Sequence, residues 1–153
     1  MGDVLSLDDA MRRRAASRGR DQIFVFTNGC FDILHPGHIA LLAEARLQGH
    51  FLMVGINSDR SVRALKGKGR PVQAEADRAE VLAAIRHVDG VVVFDEETPE
   101  RLIDALKPNV LVKGGDYAPD QVVGREIVER AGGRVHIVPL VEGKNSSGLI
   151  EKF

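Results

Sequence analysis

The sequence predicts an α/β fold: an open parallel sheet, Rossmann-like, with helices on both faces. Three observations lead there. Short β-branched and aromatic runs lie near residues 23–27, 51–55, 90–94, 110–112 and 134–138. They are apolar almost throughout, as strands buried on both faces must be. Amphipathic segments near 38–48, 76–86, 98–106 and 122–131 alternate with them, and a further helix is expected over 146–152. Finally, the first of these strands runs through a glycine-bearing turn into a helix start, the outline of an anion site.

Taken in order, residues 5–20 read as an N-terminal helix carrying Arg12, Arg13, Arg14, Arg18 and Arg20. A charge run on a terminal helix is usually a solvated face, and a nucleic-acid patch is the weaker reading. Residues 1–20 are therefore set apart as a helical extension and 21–153 as one domain. The helix after the first strand has Ile39, Leu41, Leu42, Ala45 and Leu47 at helical spacing and stops at Gly49. Residues 63–70 carry Arg63, Lys66, Lys68 and Arg70 with two glycines and no periodic apolar face, and read as a mobile basic loop. Pro99 opens a helix, Gly132-Gly133 closes one, and Pro108 precedes a strand.

Composition narrows the function classes. A chain of 153 residues with 44% hydrophobic content suits one domain with a substantial core. A net charge of −1 offers no global field for nucleic acid or an anionic membrane, so anion binding must be local. Without tryptophan and with one tyrosine, base stacking along a single strand is disfavoured. One cysteine excludes an internal disulfide, and no apolar run is long enough to span a bilayer. A cytoplasmic protein that binds neither nucleic acid nor membrane is expected.

The most informative segment is Asn28-Gly29-Cys30-Phe31-Asp32-Ile33-Leu34-His35-Pro36-Gly37-His38. With Pro36 in the first helical turn, His35 and His38 approach the same side of it. Gly37 leaves room for a phosphate between the rings. Zinc would need a third ligand, Cys30 or Asp32, and the spacing supports metal only weakly. Lys66, then Lys68, suit a lid that supplies charge to a triphosphate. Arg78 begins a helix, an unusual place for a cation unless it meets a phosphate. Asn57 and Asp59 end the second strand and suit sugar hydroxyls, with a helix cap as the alternative for Asp59. Asp32 suits substrate hydroxyls, the cation and phosphates, or a turn.

The segment from Gly29 to His38 resembles the Gly-x-Phe-Asp-x-x-His-x-Gly-His signature of the cytidylyltransferase-like nucleotidyltransferases. The likeness extends through 54–59, 66–71, Asp77-Arg78, 111–117 and Glu142-Gly143, in an order similar to the adenylyltransferase domain of ADP-heptose synthases. The resemblance implies transfer of AMP from ATP to heptose 1-phosphate with Mg²⁺, serving lipopolysaccharide precursor synthesis, and a homodimer or higher homo-oligomer. A cytidylyltransferase acting on glycerol 3-phosphate is the nearest alternative, and a silent nucleotide-binding regulator a more distant one. It further implies that His35 and His38 stabilise the transition state, with Lys66 and Arg78 assisting. Asn28, Gly29, Cys30, Phe31 and Gly37 would cradle the nucleotide, with Lys113, Gly114 and Asp116 towards base and ribose. Ser146 and Ser147 would cap the terminal helix and donate to phosphate, where relatives carry Ser-Thr-Thr and this chain begins with Asn145. Asp32, Asn57, Asp59 and Lys68 fall to the second substrate.

Overall fold

The structure, a computed structural model, describes residues 2–115 and 117–139. Six strands form one sheet: β1 (Asp3–Leu5), β2 (Phe24–Gly29), β3 (Phe51–Asn57), β4 (Gly90–Phe94), β5 (Val110–Gly114) and β6 (Arg134–Val138). Their order is β1-β4-β3-β2-β5-β6, with every neighbouring pair parallel. The chain winds outward from β2 to β3 and β4, then returns to the other side of β2 for β5 and β6. That reversal is the switch point where open α/β sheets hold ligands, at the carboxyl ends of the strands.

Strand alternation builds the two faces of the core. Val25 points to a layer with Leu42 and Ala45 of α2 (Pro36–Leu47) and Ala79 and Leu82 of α4 (Glu75–Ala83). Phe24 and Phe26 point the other way, to Leu102, Ile103 and Leu106 of α5 (Glu100–Leu106), Val128 of α6 (Arg125–Arg130) and Ala10 of α1 (Leu7–Gly19). Helices thus cover both faces, as the continuous apolar strands required.

The structure differs from the sequence reading in several elements. Residues before 21, set apart above as a helical extension, place β1 in the sheet and bury Ala10, Arg14 and Ser17 of α1. Three residues are too few for a strand pattern to register. The arginine run is not one solvated face either: Arg14 Nε and Nη2 donate to the carbonyls of Leu106 and Lys107, capping the end of α5. Much of the expected basic loop is helix α3 (Asp59–Lys66), for which Ser58 is the N-cap, its Oγ accepting from Ser61 N at 3.1 Å. The loop is confined to the residues after it, where Gly67 and Gly69 adopt φ of 90° and 86°. The helix expected over 122–131 shortens to α6 behind a 3-10 turn at Pro119–Gln121. Gly124 lies between them with φ 92°, and a Cβ there would lie 2.6 Å from Ile103. The helix expected over 146–152 falls outside the described residues.

Candidate active site

The turn leaving β2 carries its own signature of constraint. Phe31, a non-glycine residue, holds φ 48° and is buried, a conformation that neighbouring structure must impose. Its ring lies 5.2 Å from that of His38. Next comes His35, the N-cap of α2, with Pro36 in the first turn as expected. His35 Nδ1 accepts from Gly37 N at 3.1 Å, and His38 Nδ1 accepts from His35 N at 3.3 Å. The two rings stack at 3.8 Å between centroids.

This reciprocal cap has a chemical consequence. Each Nδ1 is occupied as an acceptor, so a neutral ring carries its proton on Nε2 and can donate from that nitrogen. Burial, then the charges of His35 and Lys66, push the His38 pKa down to about 4. At neutral pH His38 is therefore an uncharged donor in the first turn of α2, at the positive end of that helix.

Asp32 and Arg78 prove to be internal fasteners. Asp32 is fully buried and accepts from Val72 N and Gln73 N, each at 2.9 Å, and from Arg70 Nε at 3.2 Å. Burial pushes its carboxyl up, but these donors together outweigh it and hold the pKa below its ordinary value. Its oxygens are committed to the loop rather than turned to a sugar. Arg78, read above as a phosphate ligand, is 1% exposed. It donates to the carbonyls of Gln73, Cys30 and Asn57 and to Asp59 Oδ1, at 2.7 to 2.9 Å. These acceptors explain the cation near the start of a helix without any ligand. Asp59 is thereby paired with Arg78 and sits in the first turn of α3, next to the cap. Asn57 is buried, with Nδ2 donating to Ser61 Oγ at 2.9 Å and Oδ1 facing Cys30 Sγ.

Above the ends of β2, β3 and β5 opens a cleft of about 530 Å³. Asn28, Gly29, Cys30, Asn57, Lys66 and Lys113 line it, so six of the expected residues meet there. Glu97, Thr98 and Gln121 join them from the loops after β4 and β5; no spacing in the sequence marked these three. His35 and His38 start the helix beside this cleft and do not line it. Lys66 and Lys113 meet no carboxylate among the described residues; Lys113 Nζ lies 5.6 Å from the Tyr117 ring. Burial lowers the Lys113 pKa, with the Cys30 thiol opposing. Burial raises the Cys30 pKa against the charges of Lys66 and Arg78. Gly114 lies against the Leu41 side chain of α2, since a Cβ there would lie 3.3 Å from it. Lys68 stands exposed between the two left-handed glycines. Asp116, Ser146 and Ser147 lie outside the described residues. Among those described, no cluster of three His, Cys, Asp or Glu side chains is arranged to hold a metal.

A parallel sheet with its crevice at the switch point belongs to the nucleotide-handling α/β class. Paired imidazoles at a helix start beside it, that of His38 neutral, narrow that class to nucleotidyltransferases. The chain belongs to the cytidylyltransferase-like family, whose model matches residues 26–146. It is 58% identical over 150 residues to the bifunctional protein HldE of Geotalea uraniireducens, covering 98% of this chain and 31% of that protein. The corresponding protein of Koribacter versatilis is 56% identical over 149 residues, covering 97% and 31%. The chain thus spans under a third of the length of these curated relatives. Among solved structures, a lipopolysaccharide core biosynthesis protein from Thermoplasma volcanium superposes with a TM-score of 0.65 at 26% identity, covering 80% of this chain and 99% of that one. A pantoate-beta-alanine ligase from Francisella tularensis gives 0.69 at 15% identity, covering 100% and 74%, and shares the fold. No helix among the described residues is long and apolar enough to cross a membrane.

Proposed function

We propose that this chain transfers AMP from ATP to D-glycero-β-D-manno-heptose 1-phosphate, giving ADP-heptose and pyrophosphate for lipopolysaccharide precursors, in the cytoplasm. The observation that carries the reaction class is the reciprocal cap of His35 and His38, in which each Nδ1 accepts a backbone N–H and the neutral His38 ring donates from Nε2. The choice of nucleotide and sugar is supported by the ordered motifs and by the identity with HldE proteins across nearly the whole chain.

The chemistry needs position and positive charge more than a nucleophile. An oxygen of the sugar phosphate attacks the α-phosphorus in line. The bond from that phosphorus to the bridging oxygen breaks, and its electron pair leaves with pyrophosphate. Nε2–H groups of His35 and His38 donate to non-bridging oxygens as charge grows on them, where fixed donors act most strongly. Lys66 and Lys113 offset the charge of bound phosphates from the cleft. Asp32 and Arg78 keep the turn, the loop and the end of β3 in register. Mg²⁺ would enter as part of the MgATP substrate, as the family resemblance implies. A homo-oligomer in solution is supported by the family resemblance.

Pyrophosphate release from each nucleoside triphosphate, offered with a panel of sugar and polyol phosphates, tests the reading. Turnover is expected with ATP plus the heptose phosphate. Turnover confined to CTP with another acceptor would overturn it.

A further inference from the structure

We propose that Arg70 binds a substrate phosphoryl group at this site, through the guanidinium nitrogen that the fold leaves without an acceptor. The proposal rests on the transferase reading above and adds a residue to it. Arg70 Nε donates to Asp32 Oδ2, and its side chain is only 14% exposed. Its Nη2 is buried and has no acceptor among the described residues. Asp32 has little left to offer, because Val72 N and Gln73 N already occupy its oxygens.

Two other buried arginines show how this fold otherwise treats a guanidinium. Every nitrogen of Arg78 has an internal acceptor. Arg14 Nη1 also lacks one among the described residues, but that guanidinium lies over the Phe24 ring, 5.2 Å from its centroid. Arg70 has neither remedy. Its Nε is held on Asp32, three residues before His35, which limits how the fork and its Nη2 can turn. The Arg70 charge also reaches the Cys30 thiol at the cleft wall. Gly67 and Gly69 just before it have open space where a Cβ would stand. The tip of the loop is thus uncrowded, whereas its stem at Arg70 to Gln73 is pinned. A phosphoryl oxygen is the acceptor such a rigid, half-satisfied fork is shaped to take, from either the triphosphate or the sugar phosphate.

The test measures kcat and both KM values for Arg70→Lys and Arg70→Gln, with melting temperature and tryptic cleavage after Lys68 as monitors of fold and loop. Arg70→Lys keeps the charge opposite Asp32 but loses the fork. It should melt close to the wild type with unchanged cleavage, yet raise one KM about tenfold or more. A rise for ATP alone assigns the triphosphate, and a rise for the acceptor alone assigns the sugar phosphate. Kinetic constants within about twofold of wild type in both variants would overturn the proposal. So would a loss matched by faster cleavage in Arg70→Lys and reproduced by Asp32→Asn, because that marks a loop fastener only. Calorimetric binding of inorganic pyrophosphate separates this proposal from the choice of substrates. If wild type fails with ATP and heptose 1-phosphate, about tenfold weaker pyrophosphate binding by Arg70→Lys still supports Arg70, and equal binding removes it.

Discussion

Arg78 and Lys113 stand near the same edge of the sheet and are both withdrawn from water, yet their bonding is opposite. Arg78 spends its guanidinium on three carbonyls and a carboxylate drawn from three separate stretches of chain. Lys113 lines the cleft with the Tyr117 ring 5.6 Å from its ammonium and no carboxylate partner among the described residues. The difference teaches how to read a cation at a binding edge. A buried cation whose acceptors all come from its own chain is a fastener, whereas one left without them is available to a ligand. Arginine suits the first task because its planar fork meets several acceptors at once. Lysine suits the second because burial lowers its pKa and an arriving phosphate would favour the charged form again.

The largest effect should come from breaking the fastener. Arg78→Met leaves buried carbonyls without donors and Asp59 without its cation, and should cost about 3–5 kcal/mol in urea denaturation. Retained stability with lost substrate affinity would turn Arg78 back into a ligand. Next in size is His38→Ala, whose kcat should fall by about 10²–10³ while the melting temperature holds. Near-normal turnover would remove His38 from the chemistry. Third is a pH effect on stability from the same ring. The unfolded ring takes its proton near pH 6.5, whereas the folded one refuses it until about 4. Stability present above pH 6.5 is thus lost as pH falls towards 4, by at most about 3 kcal/mol from this partly exposed group and less once solvent screening is counted. Urea denaturation at pH 7 and pH 5 should show a loss that is smaller in His38→Ala. The smallest effect belongs to Lys113→Met. It should leave stability unchanged within about 0.5 kcal/mol while weakening nucleotide binding about tenfold by calorimetry.

The same contrast explains what was legible in the sequence. The alternation of apolar runs, the Pro36 helix start and the gathering of Asn28, Gly29, Asn57 and Lys113 at one edge follow from periodicity and from where strands end. Local signals also sufficed for the paired histidines, since their cap is made within one helical turn. Helix α3 was missed because its stability comes from the Ser58 cap and a single buried Val62 rather than from an apolar stripe. β1 was missed because an edge strand of three residues owes its existence to pairing with β4. Arg78 and Asp32 were assigned to substrate because their partners lie far along the chain, at Cys30 and Asn57 for one and at Val72 and Gln73 for the other. Spacing reports that a charge is oddly placed; only the fold reports what already neutralises it.

What the proposed chemistry requires most is a neutral His38 imidazole presenting Nε2–H to a phosphate. The most direct test is a ¹⁵N NMR titration of the histidine rings in the folded protein, with His38 assigned by comparison with His38→Ala. The account predicts that His38 stays neutral and protonated on Nε2 from pH 8 down past pH 5, becoming charged only near 4. A ring that titrates near 6.5 or above, or one protonated on Nδ1, would contradict it.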